Sequence, residues 1–412
     1  MDRNVRSLGI GSVVRAGGMT LVAPYLVLYL RNVLDLGYAE IGLLVALTGA
    51  VPLAIVPFAG FVTDRIGRRR VFLVCLVAEA LSVLLVGAAM RDRWLPGLLA
   101  SVTLVYTVGT IAGPAISAYV ADFTAGSDRT LAFTWTRVGW NIGFTLGVFS
   151  GGALIGLLGF PDVGFLAGGV LLASTAYLAV VLEPSPYDRA RSAERTGGAG
   201  ARPAGMSVRG SLGLLARDRV FLAVCASVAL AWLTIGQWGA VFPLYANAVL
   251  GIPYAWIGVG LAVNGLLVVF AQGPITRLGI GHRHTTLFVL GTALYAAGFL
   301  LFGALSLVRS AILVGFLVSV VVLTTGENLV SIPSSTLPSN LAPPSEIGAY
   351  NGTFFAITGV GQLLAPTLGG VVLALTANPF ETWAILVVPA VPAMALLAAR
   401  VAPRVGAAAN TA

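Results

Sequence analysis

Twelve apolar stretches of about 20 residues or more follow one another along this chain, and that alone excludes most folds that live in water. They fall near 8–30, 40–63, 71–90, 95–119, 132–157, 163–182, 220–246, 254–275, 285–306, 311–333, 350–376 and 383–400. At 1.5 Å per residue, a helix of about 20 residues covers the roughly 30 Å hydrocarbon core of a bilayer. Composition agrees: 58% of the 412 residues are hydrophobic and 10% are charged, against about 25% charged in soluble proteins. The expectation is an all-α membrane protein with twelve transmembrane helices. The first stretch reads as a span and not as a cleavable leader, because no small-residue cleavage site leads into a polar mature domain. The 51 glycines suit close helix approach in lipid. Cys75 and Cys225 fall inside spans, with no spacing that suggests a disulfide or a metal site.

A formal charge of +8 invites a nucleic-acid reading, and the distribution of that charge excludes it. There is no lysine, so all 24 basic residues are arginine. Eighteen fall in alternate loops and termini, from Arg3 and Arg6 to Arg400 and Arg404. The intervening loops hold only Arg31, Arg91, Arg93 and Arg309, while Arg15 and Arg137 lie inside spans. Alternation of this kind follows the positive-inside rule and predicts both termini on the cytoplasmic side of the inner (plasma) membrane.

Residues 183–217 form the one long polar stretch, rich in Gly, Ala, Arg and Pro. It reads as a partly disordered cytoplasmic linker between a six-helix unit over 1–182 and a second over 218–412. The halves repeat motifs. Gly60-Phe-Val-Thr-Asp64-Arg65 closes the second span, and Gly273-Pro-Ile-Thr-Arg277-Leu closes the eighth, 213 residues on. Gly143, Gly147, Gly151 and Gly152 in the fifth span are echoed by Gly361, Pro366, Gly369 and Gly370 in the eleventh, Gly361 standing 218 residues after Gly143. A duplicated six-helix unit predicts two pseudo-symmetric bundles with a solute site between them near mid-membrane.

At these residues the chain resembles the major facilitator superfamily over its whole length. The strongest match is Gly60-Phe-Val-Thr-Asp64-Arg65-Ile-Gly67-Arg68-Arg69-Arg70, similar to the superfamily's loop signature between spans two and three. Gly60 permits close approach, Asp64 can face a helix N-terminus or an arginine, and Gly67 allows a tight reversal. The resemblance implies that Gly60, Asp64, Arg65, Gly67 and Arg68 form a conformational latch that holds the outward-open state. The fifth-span glycines look like the signature of bacterial drug:proton antiporters, with Val148 where that group has proline. Pro114-x-x-x-Ala118-Tyr119-Val120-Ala121-Asp122 matches the following loop of such exporters. Many of them carry an arginine in the fourth span, and none stands between 95 and 120 here. The family also implies a monomer.

An ionisable group in hydrocarbon costs at least ~2.5–3.5 kcal/mol, so each one is a functional candidate. Glu327 lies in the middle of the tenth span beside Asn328. It is the proton-coupling candidate, against a buried structural carboxyl tied to a neighbour. Arg15 lies roughly 12 Å into the first span, beyond comfortable snorkelling. It is placed to bind an anionic group, to pair with Glu327, or to form a fixed structural pair. Arg137, about 9 Å into the fifth span, is explained equally by snorkelling and by solute contact. Glu79 in the third span reads as a structural group facing a neighbouring helix. Trp140, Asn141, Gln237, Trp238 and Asn264 complete the candidate substrate cavity, with ordinary packing as the competing explanation for each.

No Walker loop occurs, and without lysine none can, so ATP does not drive this protein directly. No HExxH, CxxC or nucleophile elbow occurs, and His282 and His284 fall in a loop where a solvated face is expected. Neither cofactor nor metal nor enzymatic activity is expected. The leading expectation is proton-coupled efflux of an amphipathic small molecule by alternating access. The competing ones are uptake or exchange of an organic anion and, more remotely, a membrane sensor that moves nothing.

Overall fold

The computed structural model describes residues 3–124, 126–189, 218–308, 311–343 and 346–405, with the side chains of 56–61, 64, 126–130, 335 and 347–349 outside that set. Regular structure among the described residues is helical, and twelve helices are long and apolar enough to cross a membrane. The first span is Arg3–Thr20 continued by Leu26–Asn32, followed by Tyr38–Ile66, Arg68–Arg91, Leu95–Asp122, Gly126–Leu158 and Phe160–Val181. The seventh is Arg219–Ile235 continued by Val241–Ala248, followed by Tyr254–Gly279, His284–Ala304, Ile312–Leu341, Ile347–Leu375 and a last span that begins at Pro379–Leu386.

The first and seventh spans are broken where the sequence reading drew them whole. A 3-10 turn at Ala23–Tyr25 interrupts the first, and another at Gly236–Gly239 interrupts the seventh. Pro24 explains the first break, since it lacks an N–H and its ring collides with the preceding turn. The Tyr25 N–H turns instead to the Val22 carbonyl at 2.9 Å, and its hydroxyl donates to the carbonyl of Val148. In the seventh span, two glycines bracket the turn.

The chain divides into two compact units. One comprises Met1–Tyr25 with Thr48–Gly205, the other Leu26–Leu47 with Met206–Ala412. The far end of the first span and the start of the second therefore pack with the second unit. There Asn32 Nδ2 donates to Asn247 Oδ1 and to the Tyr254 hydroxyl, both at 2.7 Å.

Glycines set the packing inside each unit. In the first, the glycines at 139, 143, 147 and 151 of the fifth span each lie against a first-span carbonyl, those of Gly9, Val13, Gly17 and Leu21. Both series advance by four, so the two helices run parallel and in register, backbone against backbone. Any side chain at these positions would push the helices apart. In the second unit, Gly361 lies against the Ala229 carbonyl and Gly369 against Gln237 and Val241, which seats the eleventh span on the seventh. Gly370 and Pro366 face Gly42 instead. Gly152 is buried beside Gly151.

Candidate functional site

In the first unit two buried charges find each other. Arg15 is 9% exposed and Glu79 1%. Arg15 Nε donates to Glu79 Oε2 at 2.6 Å and Nη2 to Oε1 at 2.8 Å, joining the first span to the third. Two parallel bonds match the planar guanidinium to the carboxylate, the strongest form of such a contact. Each charge alone would be costly in a membrane interior, so each accounts for the other's position. Of the partners left open for Arg15 by the sequence, the structure supplies the fixed pair, through a residue 64 positions away. The Trp140 ring lies 5.5 Å from the guanidinium carbon and adds a cation–π contact. Gly109 of the fourth span lies beside the pair, where an added Cβ would make ordinary contacts of 3.7 Å with Glu79 Oε1 and 3.8 Å with Arg15 Nη2. Arg137 is exposed, and its carbonyl accepts from Asn141 Nδ2 at 3.1 Å.

In the second unit Glu327 is half-buried in the tenth span. Its rotation is set by Gly326, where an added Cβ would meet the Gly291 carbonyl at 2.6 Å and the Tyr295 nitrogen at 2.8 Å. With Gly326 pressed on the ninth span, the next residue is turned about 100° away, toward the eighth. There Asn264 Nδ2 donates to Glu327 Oε2 at 2.7 Å and to the Thr324 hydroxyl at 3.0 Å. No cation pairs with Glu327 among the described residues. The two carboxyls thus differ in kind: Glu79 has an arginine as counter-charge, whereas Glu327 has an uncharged amide donor and no counter-charge among the described residues.

Gln237 and Trp238, grouped with the cavity by sequence, are held in other ways. Gln237 is fully buried, its Nε2 donating to the carbonyls of Leu233 at 2.7 Å and Ala365 at 2.9 Å, so it braces the seventh span against the eleventh. The Trp238 ring packs on Phe242 at 4.5 Å. His284, expected on a solvated face, is 1% exposed. It opens the ninth helix and packs against the Thr336 hydroxyl and Asn340 Nδ2, each at 3.4 Å.

The signature loop is tied down inside the first unit. Gly67 takes φ 114°, a conformation that L side chains rarely adopt, and starts the third span. The N–H groups of Arg68 and Arg69 donate to Asp188 at 2.8 and 3.1 Å, so Asp188 caps that helix from the linker's first residues. Arg68 pairs with Asp122 and lies 4.1 Å from the Tyr187 ring. Arg69 bonds the carbonyls of Leu182 and Ala179, both at 2.8 Å. Arg65 is exposed, and Gly60 and the Asp64 side chain lie outside the described residues. Sequence reasoning missed Asp188 and Tyr187, which stand in a stretch that resembled pure linker. The aspartate two residues after Pro186 was the one available signal.

Comparison with known proteins agrees with this architecture. The family model described as Major Facilitator Superfamily matches residues 8–366. A Na(+), Li(+), K(+)/H(+) antiporter of Planococcus maritimus is 25% identical over 388 residues, which is 89% of this chain and 88% of that protein. The class C tetracycline resistance protein of Escherichia coli is 24% identical over 378 residues, 89% of this chain and 88% of its own. Among solved structures, a POT family transporter in complex with 5-aminolevulinic acid superposes with a TM-score of 0.78 at 15% identity, covering 97% of this chain and 96% of that one. At that identity the likeness speaks to the fold alone.

Proposed function

This chain belongs to the major facilitator superfamily, and from that premise we propose that it is a secondary transporter that exports amphipathic small molecules against proton entry by alternating access. It is a multi-pass membrane protein; the proposed setting is the inner membrane, with both termini in the cytoplasm as the arginine distribution favours. The observation that carries the reading is Glu327, a carboxyl in mid-span with an amide partner and no cation among the described residues. Such a group can change protonation without stranding a countercharge, which a proton carrier requires. Glu79 cannot do so while Arg15 holds it. The exposed aromatic Trp140 and the half-buried Asn141 suit a cargo that is part apolar and part polar. The similarity to a cation/proton antiporter and to a tetracycline resistance protein supports the same class.

A second reading, uptake or exchange of an organic anion, draws on Arg137, which is exposed and has no acidic partner among the described residues. Proteoliposomes loaded with an amphipathic cationic dye or with an organic acid separate the two. Export predicts that an imposed proton gradient accelerates loss of the dye. Gradient-independent exchange of the acid, with the dye retained, would favour the second reading.

A further inference from the structure

We propose that the seam between the eighth and tenth spans is the route by which a proton leaves Glu327 for the cytoplasmic face, with the buried amide of Asn328 holding the water that links Glu327 to Ser331 and Gln272. This rests on the reading of Glu327 as the proton carrier.

Thr324, Glu327, Asn328 and Ser331 stand at i, i+3, i+4 and i+7, one face of the tenth helix. Opposite them the eighth span presents Asn264 and, eight residues on, Gln272. Asn264 bonds Glu327 and Thr324 as described above. Gln272 accepts the Ser331 hydroxyl at 3.3 Å, and its Nε2 donates to the Asn328 carbonyl at 3.4 Å and the Thr276 hydroxyl at 3.2 Å. Ser331 also donates to the Asn328 carbonyl at 2.9 Å. Exposure rises along the series: Asn264 is buried, Gln272 half-buried and Thr276 exposed. The polar groups therefore lead from the carboxyl to the end of the eighth span that carries Arg277, the end assigned to the cytoplasm.

Asn328 sits inside this series and is 1% exposed. Neither Oδ1 nor Nδ2 has a hydrogen-bond partner among the described residues. Buried amides are almost always paired, with protein or with ordered water, and this one offers two donors and an acceptor on the face it shares with Glu327 and Ser331. Glu327 and Ser331 are one turn apart, about 6 Å along the helix, too far for a direct bond and within reach of a bridging water. The seam holds no competing ionisable group. The eighth span has none from Asn264 to Thr276, and the tenth has none but Glu327. The ninth span, packed against the tenth, adds Tyr295 beside Gly326 and His284 beside Thr336.

The transfer balances simply. The O–H bond of the Glu327 carboxylic acid breaks and its proton joins the water on Asn328. That water, now carrying the extra proton, hands one on past Ser331 and Gln272 to solvent water at Thr276 and stays behind neutral. Glu327 remains as a carboxylate, and the amides and hydroxyls keep their own protons.

The test uses the full-length protein in lipid vesicles. After a pH jump, infrared spectroscopy follows the carboxyl band that Glu327→Gln removes. We expect Asn328→Leu and Gln272→Leu to keep that band and to slow its loss by roughly a hundredfold or more, the lower end of the range for a positioned proton-transfer group. Thr325→Val serves as the control at wild-type rate, since its hydroxyl bonds only the Val321 carbonyl at 2.8 Å. Wild-type rates in both leucine variants would overturn the seam while leaving Glu327 as the carrier. Absence of any Glu327-dependent band would overturn the carrier reading, and the seam with it. Gln272 is half-buried, so its variant keeps the test alive should Asn328→Leu fail to fold.

Discussion

Arg15 and Glu79, on the first and third spans, are joined by two parallel hydrogen bonds of 2.6 and 2.8 Å and are almost wholly shielded from solvent. The pair therefore acts as one neutral object, and removing one member strands the other. Glu79→Ala is expected to destabilise the protein by about 3–5 kcal/mol. Replacing both, as Arg15→Met with Glu79→Leu, should recover most of that loss. Thermal unfolding in detergent measures both, and a double variant as damaged as the sum of the singles would mean the residues are not coupled.

The register of the fifth span on the first makes a second prediction with an internal control. At Gly143 an added methyl meets the Val13 carbonyl, whereas at Gly156 of the same helix nothing lies within 4 Å. Gly143→Ala is expected to cost about 1–3 kcal/mol, the range for overpacking. Gly156→Ala should be neutral or stabilise by about 0.5–1 kcal/mol, from helix propensity. Equal melting temperatures for the two variants would contradict the packing described.

Asp188 provides a third. It caps the third span through the N–H groups of Arg68 and Arg69. Asp188→Ala should lower stability by about 1 kcal/mol. Gly67→Ala, which forces a side chain into φ 114° and ψ 140°, should cost about 1–3 kcal/mol. Both are read as shifts in melting temperature, and an unshifted Asp188→Ala would mean the linker's first residues do not organise the loop.

Much of this architecture was legible in the chain. Spans announce themselves because hydrocarbon demands about 20 apolar residues at a stretch. The spacing of four among Gly143, Gly147 and Gly151 announced a packing face, although Gly139, which belongs to the same series, was overlooked. Glu327 was conspicuous because any charge in a span is. What stayed hidden was orientation about the helix axis. A helix that is apolar all round carries no stripe to show which way it faces, so neither the partner of Arg15 nor the burial of Gln237 and His284 could be read. The breaks in the first and seventh spans were signalled by Pro24 and by Gly236 and Gly239, yet hydropathy runs straight through them. Asp188 was hidden differently, in polar sequence that looked like tether.

The central claim is that Glu327 couples transport to protons, and one comparison tests it most directly. Wild type and Glu327→Gln are reconstituted in proteoliposomes holding an amphipathic cationic dye, and dye loss is followed with and without an imposed proton gradient. The account predicts that the variant loses gradient-driven efflux while still exchanging dye at equilibrium. Gradient-driven efflux at the wild-type rate in Glu327→Gln would contradict it.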